Sequence, residues 1–134
     1  MKRDHGKHNK RVCDKLHLQE EYKCNDWVVT TSFYSSIHFI DHALFPCDYK
    51  GNRLNNINDA HSVIRANSKH QTRAILLEKL RPKHKGDYSL LISESQNARY
   101  VNYQISDPIA TRAVAALGKI ITSYDKDKGN IGAE

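Results

Sequence analysis

The stretch DWVVTTSFYSSIHFIDHALFP, residues 26–46, limits most strongly what the chain can fold into. It is the longest apolar run in an otherwise polar sequence. Asp26 supplies a capping residue at its start and Pro46 a stop at its end. Trp27, Thr30/Thr31, Tyr34, Ile37/His38, Asp41 and Leu44/Phe45 recur every three to four residues. A second stripe of Val28/Val29, Phe33, Ile37, Ile40 and Leu44 covers much of the remaining face. A helix apolar over more than half its circumference belongs at the centre of a fold. The β-branched run from Val28 to Thr31 also suits a strand, but a continuous pattern of about 19 residues is too long for one. Ser32, Ser35 and Ser36 are small enough for neighbouring helices to approach closely, and their hydroxyls can bond back to the helix.

The flanking sequence reads as helices joined by polar links. Residues 1–7 form a flexible basic arm in this reading. A first helix is expected from about His8 to Tyr22, with Val12 and Leu16 inward. After Pro46, CDYKGNRLNNIN reads as a loop rich in Gly, Asn and charge. Asn58 or Asp59 would cap a short helix carrying Ala60, Val63 and Ile64. Ser68 would cap the next, running to about Leu80 with Ala74, Ile75, Leu77 and Leu80 inward. Arg81-Pro82 ends it, and KHKGD reads as a basic turn. Tyr88 to about Tyr103 is expected to be helical. Asp107-Pro108 opens a last helix, lined by Ile109, Ala113, Val114, Leu117, Ile120 and Ile121. No repeat or hairpin pattern stands out. The expectation is an all-α fold of about five helices, one short, with four long helices packing as an up-down bundle. The domain would span residues 8–124, with residues 125–134 a disordered tail.

The chain has 134 residues, 27% of them charged and 39% hydrophobic. That is enough for one domain with a true core. Asp26, Asp41, His38 and His42 would be costly in lipid, so the central run does not read as a membrane span. The N-terminus MKRDHGKHNKR lacks the apolar segment of a secretory signal. Three cysteines, Cys13, Cys24 and Cys47, have no metal-type spacing, which points to a reducing, cytoplasmic setting. The net charge of +6 favours polyanions weakly.

Chemistry has few places to sit. His38 and His42 are one helical turn apart around Asp41, a spacing able to hold zinc. No second ligand framework supports that, and the favoured reading has no metal and no cofactor. Arg65 precedes His70 by five positions where the chain enters the Ser68-capped helix. Backbone amides at a helix start attract an anion. A guanidinium there would neutralise a phosphorane, and an imidazole could move a proton near neutral pH. The same spacing recurs at Arg3–His8 and, one residue longer, at Arg11–His17, so it is weak by itself. SESQNARYVNY holds Arg99, Tyr100 and Tyr103. Core-edge tyrosines beside a solvated arginine are the plainer account of it.

Taken together, the DW-x5-FYSSIHFIDH helix, RANSKHQTR and NARYVNY resemble the HEPN superfamily (higher eukaryotes and prokaryotes nucleotide-binding) in order and spacing. The resemblance covers roughly residues 8–121. It implies an all-α bundle that homodimerises. It also implies a metal-independent endoribonuclease, a toxin or antiviral defence effector, in which an arginine and a histidine from each protomer meet at the dimer axis. The substrate's 2′-hydroxyl would attack the adjacent phosphate. Arg65 and His70 match the catalytic positions. Asn67, Lys69, Arg73, Arg99 and Tyr100 would contact substrate. RNA is the expected partner, with no DNA specificity, and a nucleotidyltransferase-like antitoxin is a further one. Active members usually carry a polar residue after the arginine, whereas this chain has Ala66 and then Asn67. The alternative is therefore a non-catalytic HEPN dimer module binding a nucleotide, RNA or a partner.

Overall fold

Helix dominates the computed structural model, which describes residues 2–19 and 23–130 (for Lys2 and residues 125–130 the backbone alone). The order is α1 (Lys2–His17), α2 (Asn25–Leu44), β1 (Cys47–Tyr49), β2 (Asn52–Leu54), α3 (Ile57–Ile64), α4 (Lys69–Leu80), a 3-10 turn (Pro82–His84), α5 (Lys85–Tyr100) and α6 (Asp107–Asn130). The all-α expectation holds in its coarse form. Six α-helices stand among the described residues rather than five, and a small antiparallel hairpin accompanies them. No helix among these residues is long and apolar enough to cross a membrane.

As its apolar pattern demands, α2 is central. It touches α1, α4, α5 and α6 and buries Val28, Val29, Phe33, Phe39, Ile40 and Leu44. Phe45 is extended, as a residue before proline prefers, and its N–H closes the helix on the Asp41 carbonyl. The start lies two residues earlier than the sequence suggests, with Cys24 rather than Asp26 at the cap position. Small residues govern the α1–α2 contact. Ser35 Oγ donates to the Gly6 carbonyl at 2.8 Å, and Cys13 Sγ lies 3.1 Å from Ser32 Oγ. Burial pushes the Cys13 thiol above its ordinary pKa. Ser32 and Ser36 bond back to the Val28 and Phe33 carbonyls. Alanines 110, 113 and 116 do similar service on the buried side of α6.

Residues 2–7, expected as a loose arm, are instead the first turns of α1. Gly6 is buried there, and His5 stacks on His38 with ring centroids 4.0 Å apart. At its other end α1 stops at His17, short of the expected Tyr22, which lies outside the described residues. Part of the expected disordered tail, residues 125–134, is helical. Residues 125–130 continue α6, and residues 131–134 lie outside the described part.

The hairpin replaces an expected loop. Tyr49 pairs with Asn52, and Lys50 and Gly51 both have positive φ, +46° and +80°. Two positive-φ residues between paired strands match the twist of a hairpin. KHKGD is not a turn: Lys85 already begins α5, which ends at Tyr100 rather than Tyr103. Ile75 and Leu80, expected inward, and Val63 of the short helix are exposed. At the start of α6, Ser106 accepts the first helical bond from Ala110 N–H, while the Asp107 carboxylate takes Lys23 and Asn25.

Glycine substitutions separate packing from propensity. A β-carbon at Gly6 would lie 2.8 Å from the Phe39 ring, whereas one at Gly118 meets nothing within 4 Å. Gly6→Val is expected to lower unfolding stability by about 1–3 kcal/mol through overpacking. Gly118→Ala is expected to raise it by about 0.5–1 kcal/mol through helix propensity. Chemical denaturation of the two variants checks both signs.

Candidate functional site

The connection from α3 to α4 is built by local polar chemistry. Asn56 caps α3 through Asp59 N–H, not Asn58 or Asp59 as expected. Arg65 closes α3 in the left-handed region, φ +57° and ψ +40°, with its N–H on the His61 carbonyl. A non-glycine residue there stores strain of about 1–2 kcal/mol. Ser68 caps α4 as expected, its Oγ accepting from Gln71 N–H at 3.1 Å. Gln71 Oε1 reaches back to Asn67 N–H at 3.2 Å, a capping box displaced by one residue. His61 Nδ1 lies 2.8 Å from Thr72 Oγ1 and ties the two helices together.

His70 therefore sits in the first turn of α4, half-buried. Its ring meets Phe33 edge-on, with centroids 5.0 Å apart. Nδ1 lies 3.4 Å from an Arg73 guanidinium nitrogen. A guanidinium only donates, so Nδ1 accepts and the ring proton belongs on Nε2. Burial lowers the His70 pKa first, and Arg73 and Arg99 lower it further against the pull of Asp41. His70 is thus a neutral imidazole at pH 7, with Nε2–H as its remaining donor. It borders a cleft of about 320 Å³ between α4 and α5, whose lining includes Ser68, Gln71, Ser89, Ser93 and Gln96.

The residues expected at the site fare differently. Arg73, expected to touch substrate, is only 6% exposed. Its Nε and terminal nitrogen bind both Asp41 oxygens, at 2.6 and 2.9 Å. Burial opposes its charge, and Asp41 more than offsets that, leaving its pKa above the ordinary arginine value. Arg73 thus braces the site from within and does not reach solvent. Beside it the Tyr88 hydroxyl is buried without a hydrogen bond among the described residues, its pKa pushed up to about 12 by burial. Arg65 is exposed, and the charges acting on His70 are Arg73, Arg99 and Asp41, not Arg65. Asn67 and Lys69 are exposed beside it on the turn.

Arg99 joins the site from α5. It donates to Tyr34 Oη at 2.9 Å and, through Nε, to the Ser95 carbonyl at 3.2 Å. Its guanidinium lies over the rings of Tyr100, Tyr34 and Phe33, at 5.0, 5.5 and 5.7 Å. Tyr100 is exposed. Phe33 is the hidden organiser, since its ring touches Tyr34, His70 and Tyr88 as well as Arg99. Sequence reasoning placed Phe33 only in the core. The available signal was its adjacency to Tyr34 on the most apolar helix.

The metal reading of His38 and His42 gains no geometry. His38 stacks on His5, and His42 Nδ1 bonds the Tyr124 hydroxyl. No group of three or more ligating side chains converges among the described residues. Comparison with protein-family models, with curated proteins and with solved structures found no match to this chain.

Proposed function

We propose that this protein binds RNA through the face carrying His70 and Arg99, as a HEPN-type helical bundle acting as a homodimer. The observation that carries this is the His70–Arg99 pairing across Phe33. A neutral imidazole donor at the edge of an open cleft and a guanidinium lie against the same Phe33 ring. Donors of these two kinds suit phosphodiester and ribose oxygens, and the net charge of +6 favours the same partner.

Metal-independent cleavage is the second reading. It draws on the HEPN resemblance and on Arg65, an arginine held in the left-handed region where glycine would be cheaper. The resemblance implies that cleavage takes a second copy to complete the site. His70, with Nε2 protonated, would then hold the scissile phosphate or the 2′-hydroxyl. Toxin or defence roles, and an antitoxin partner, rest on the resemblance alone.

The test is binding and cleavage of labelled RNA in EDTA, with light scattering for oligomeric state. Arg99→Ala and His70→Ala are expected to weaken binding about tenfold each, and added salt to weaken it further. Cleavage, where present, should leave cyclic phosphate ends and fall about a hundredfold or more in Arg65→Ala and His70→Ala. RNA binding indifferent to Arg99, His70 and salt would refute the proposed face. Cleavage surviving both catalytic substitutions would remove the second reading.

A further inference from the structure

A line of exposed aromatic rings runs away from His70 along the junction of α2 with the end of α5. Trp27 and Tyr34 stand two turns apart on α2; Tyr100 ends α5 beside Arg99, which Tyr34 also meets, and Tyr103 follows in the loop after α5, sharing a hollow with Trp27. Trp27 is 55% exposed, Tyr100 76% and Tyr103 66%. These rings are costly to leave in water unless something covers them. Two hollows lie against Trp27 and Tyr103. One of about 180 Å³ is bounded by Asp26, Trp27, Thr30, Ala98, Arg99 and Tyr103. A second, about 450 Å³, adjoins it across Trp27 and Tyr103 and is walled by Lys23, Asn25, Gln104 and Ile105.

We infer that this strip is a stacking platform for the unpaired bases of single-stranded RNA, extending the His70–Arg99 site along the strand. The inference rests on the RNA reading of that site and names its substrate class. Three features favour a nucleic-acid strand over a second copy of the chain. The walls of the hollows carry charged groups, Asp26 and Arg99 in one and Lys23 and Asp26 in the other, whereas the centre of a protein–protein interface is depleted of charge. Trp27 and Tyr103 border both hollows, so a base entering either meets an aromatic ring, and stacking is tolerant of base identity. The cation at the middle, Arg99, has one N–H on Tyr34 and one on Ser95, and the rest of its fork makes no hydrogen bond or ion pair among the described residues. It is placed to take a phosphate between two stacked bases. Asp26 faces the same hollow and repels phosphate there, but its carboxylate accepts from base amino groups. Lys23 is held by Asp107 at 2.7 Å, so the strip has more ring surface than unpaired positive charge. That balance suits bases better than an acidic peptide.

The single tryptophan of the chain makes the test local. Trp27 fluorescence is titrated with single-stranded oligouridine and oligoadenosine, with an RNA duplex of equal length, and with polyphosphate. Single strands are expected to quench Trp27 and to bind about tenfold or more tighter than the duplex. Polyphosphate is expected not to quench it. Tyr100→Ala and Tyr103→Ala, both surface changes whose folding is checked by circular dichroism, should each weaken single-strand binding about tenfold. They should leave the salt dependence unchanged, since stacking releases no counterions, whereas Arg99→Ala should flatten it. RNA that binds without quenching Trp27 and without regard to the tyrosines overturns the platform and leaves the His70–Arg99 reading standing. Equal quenching by duplex or polyphosphate also overturns it. So does a dimer that becomes monomeric in the tyrosine variants while RNA binding persists, which would make the strip an interface between copies. Absence of any RNA binding removes platform and reading together.

Discussion

Asp41→Ala should lower the stability of this fold by about 3–5 kcal/mol, because it strands a buried guanidinium. Arg73 and Asp41 have side chains only 7% and 5% exposed, and they meet bidentately. Each charge offsets much of the cost of burying the other. A small domain has about 5–15 kcal/mol in total, so the loss is a large share of it. A fall in melting temperature of roughly 10–20 °C is expected at this size. Replacing both partners at once, Asp41→Leu with Arg73→Met, removes the desolvation cost along with the attraction. The double variant should lie within about 1–2 kcal/mol of the parent, far above either single. Denaturant melts of the four proteins give the cycle directly. If the two single losses simply add in the double, the pair is not coupled and this account of the interior of α4 fails.

Much of the helical layout could be read from residues alone, and the reasons are local. The apolar wrap of residues 26–46 is visible in any window along it, and the Ser68 cap signals itself by position. Pro46 and Pro82 mark ends by their covalent geometry. What escaped the sequence was structure held by small or polar groups. The start of α1 docks through Gly6 against Ser35, so it carries no large apolar residue to announce it. The hairpin at 47–54 pairs Asp48 with Arg53 and Tyr49 with Asn52. Three-residue strands of that composition show no alternation, and Lys50-Gly51 looks like any polar turn.

The site divides along the same line. That His70 enters α4 in its first turn followed from the cap. That Arg99 joins it followed from nothing local, since α5 and α2 are distant in sequence. Arg73, three residues after His70 on the same helix, is expected from the resemblance to contact substrate. Its true partner was marked by an oddity within the central helix: Asp41 lies among apolar positions, and a carboxylate buried there requires a cation from elsewhere. Arg73 is the cation that α4 turns toward it.

Phe33 is where stability and site chemistry coincide, and it supports the other large expectation. Its ring is fully buried and backs His70, Tyr34, Tyr88 and Arg99 together. Phe33→Ala is expected to cost about 3–5 kcal/mol from lost burial and the cavity left behind. Phe39 is nearly as buried but faces Tyr124 and Gly6. Phe39→Ala should therefore cost a similar amount without touching the site. The two variants diverge at His70. Burial is the largest cause of its lowered pKa, so water admitted by Phe33→Ala should bring that pKa back up toward the ordinary histidine value. Phe39→Ala should leave it where it is in the parent. Titration of the His70 ring proton by NMR, at a temperature where both variants remain folded, reads the difference. The sign has a consequence for binding. A His70 that protonates more readily gains charge beside Arg73 and Arg99, and that repulsion loosens the arrangement that presents Arg99. RNA affinity should then fall in Phe33→Ala by more than in Phe39→Ala at equal stability loss. Equal falls in the two would mean that Phe33 supports the fold alone and that His70 and Arg99 are positioned by other groups.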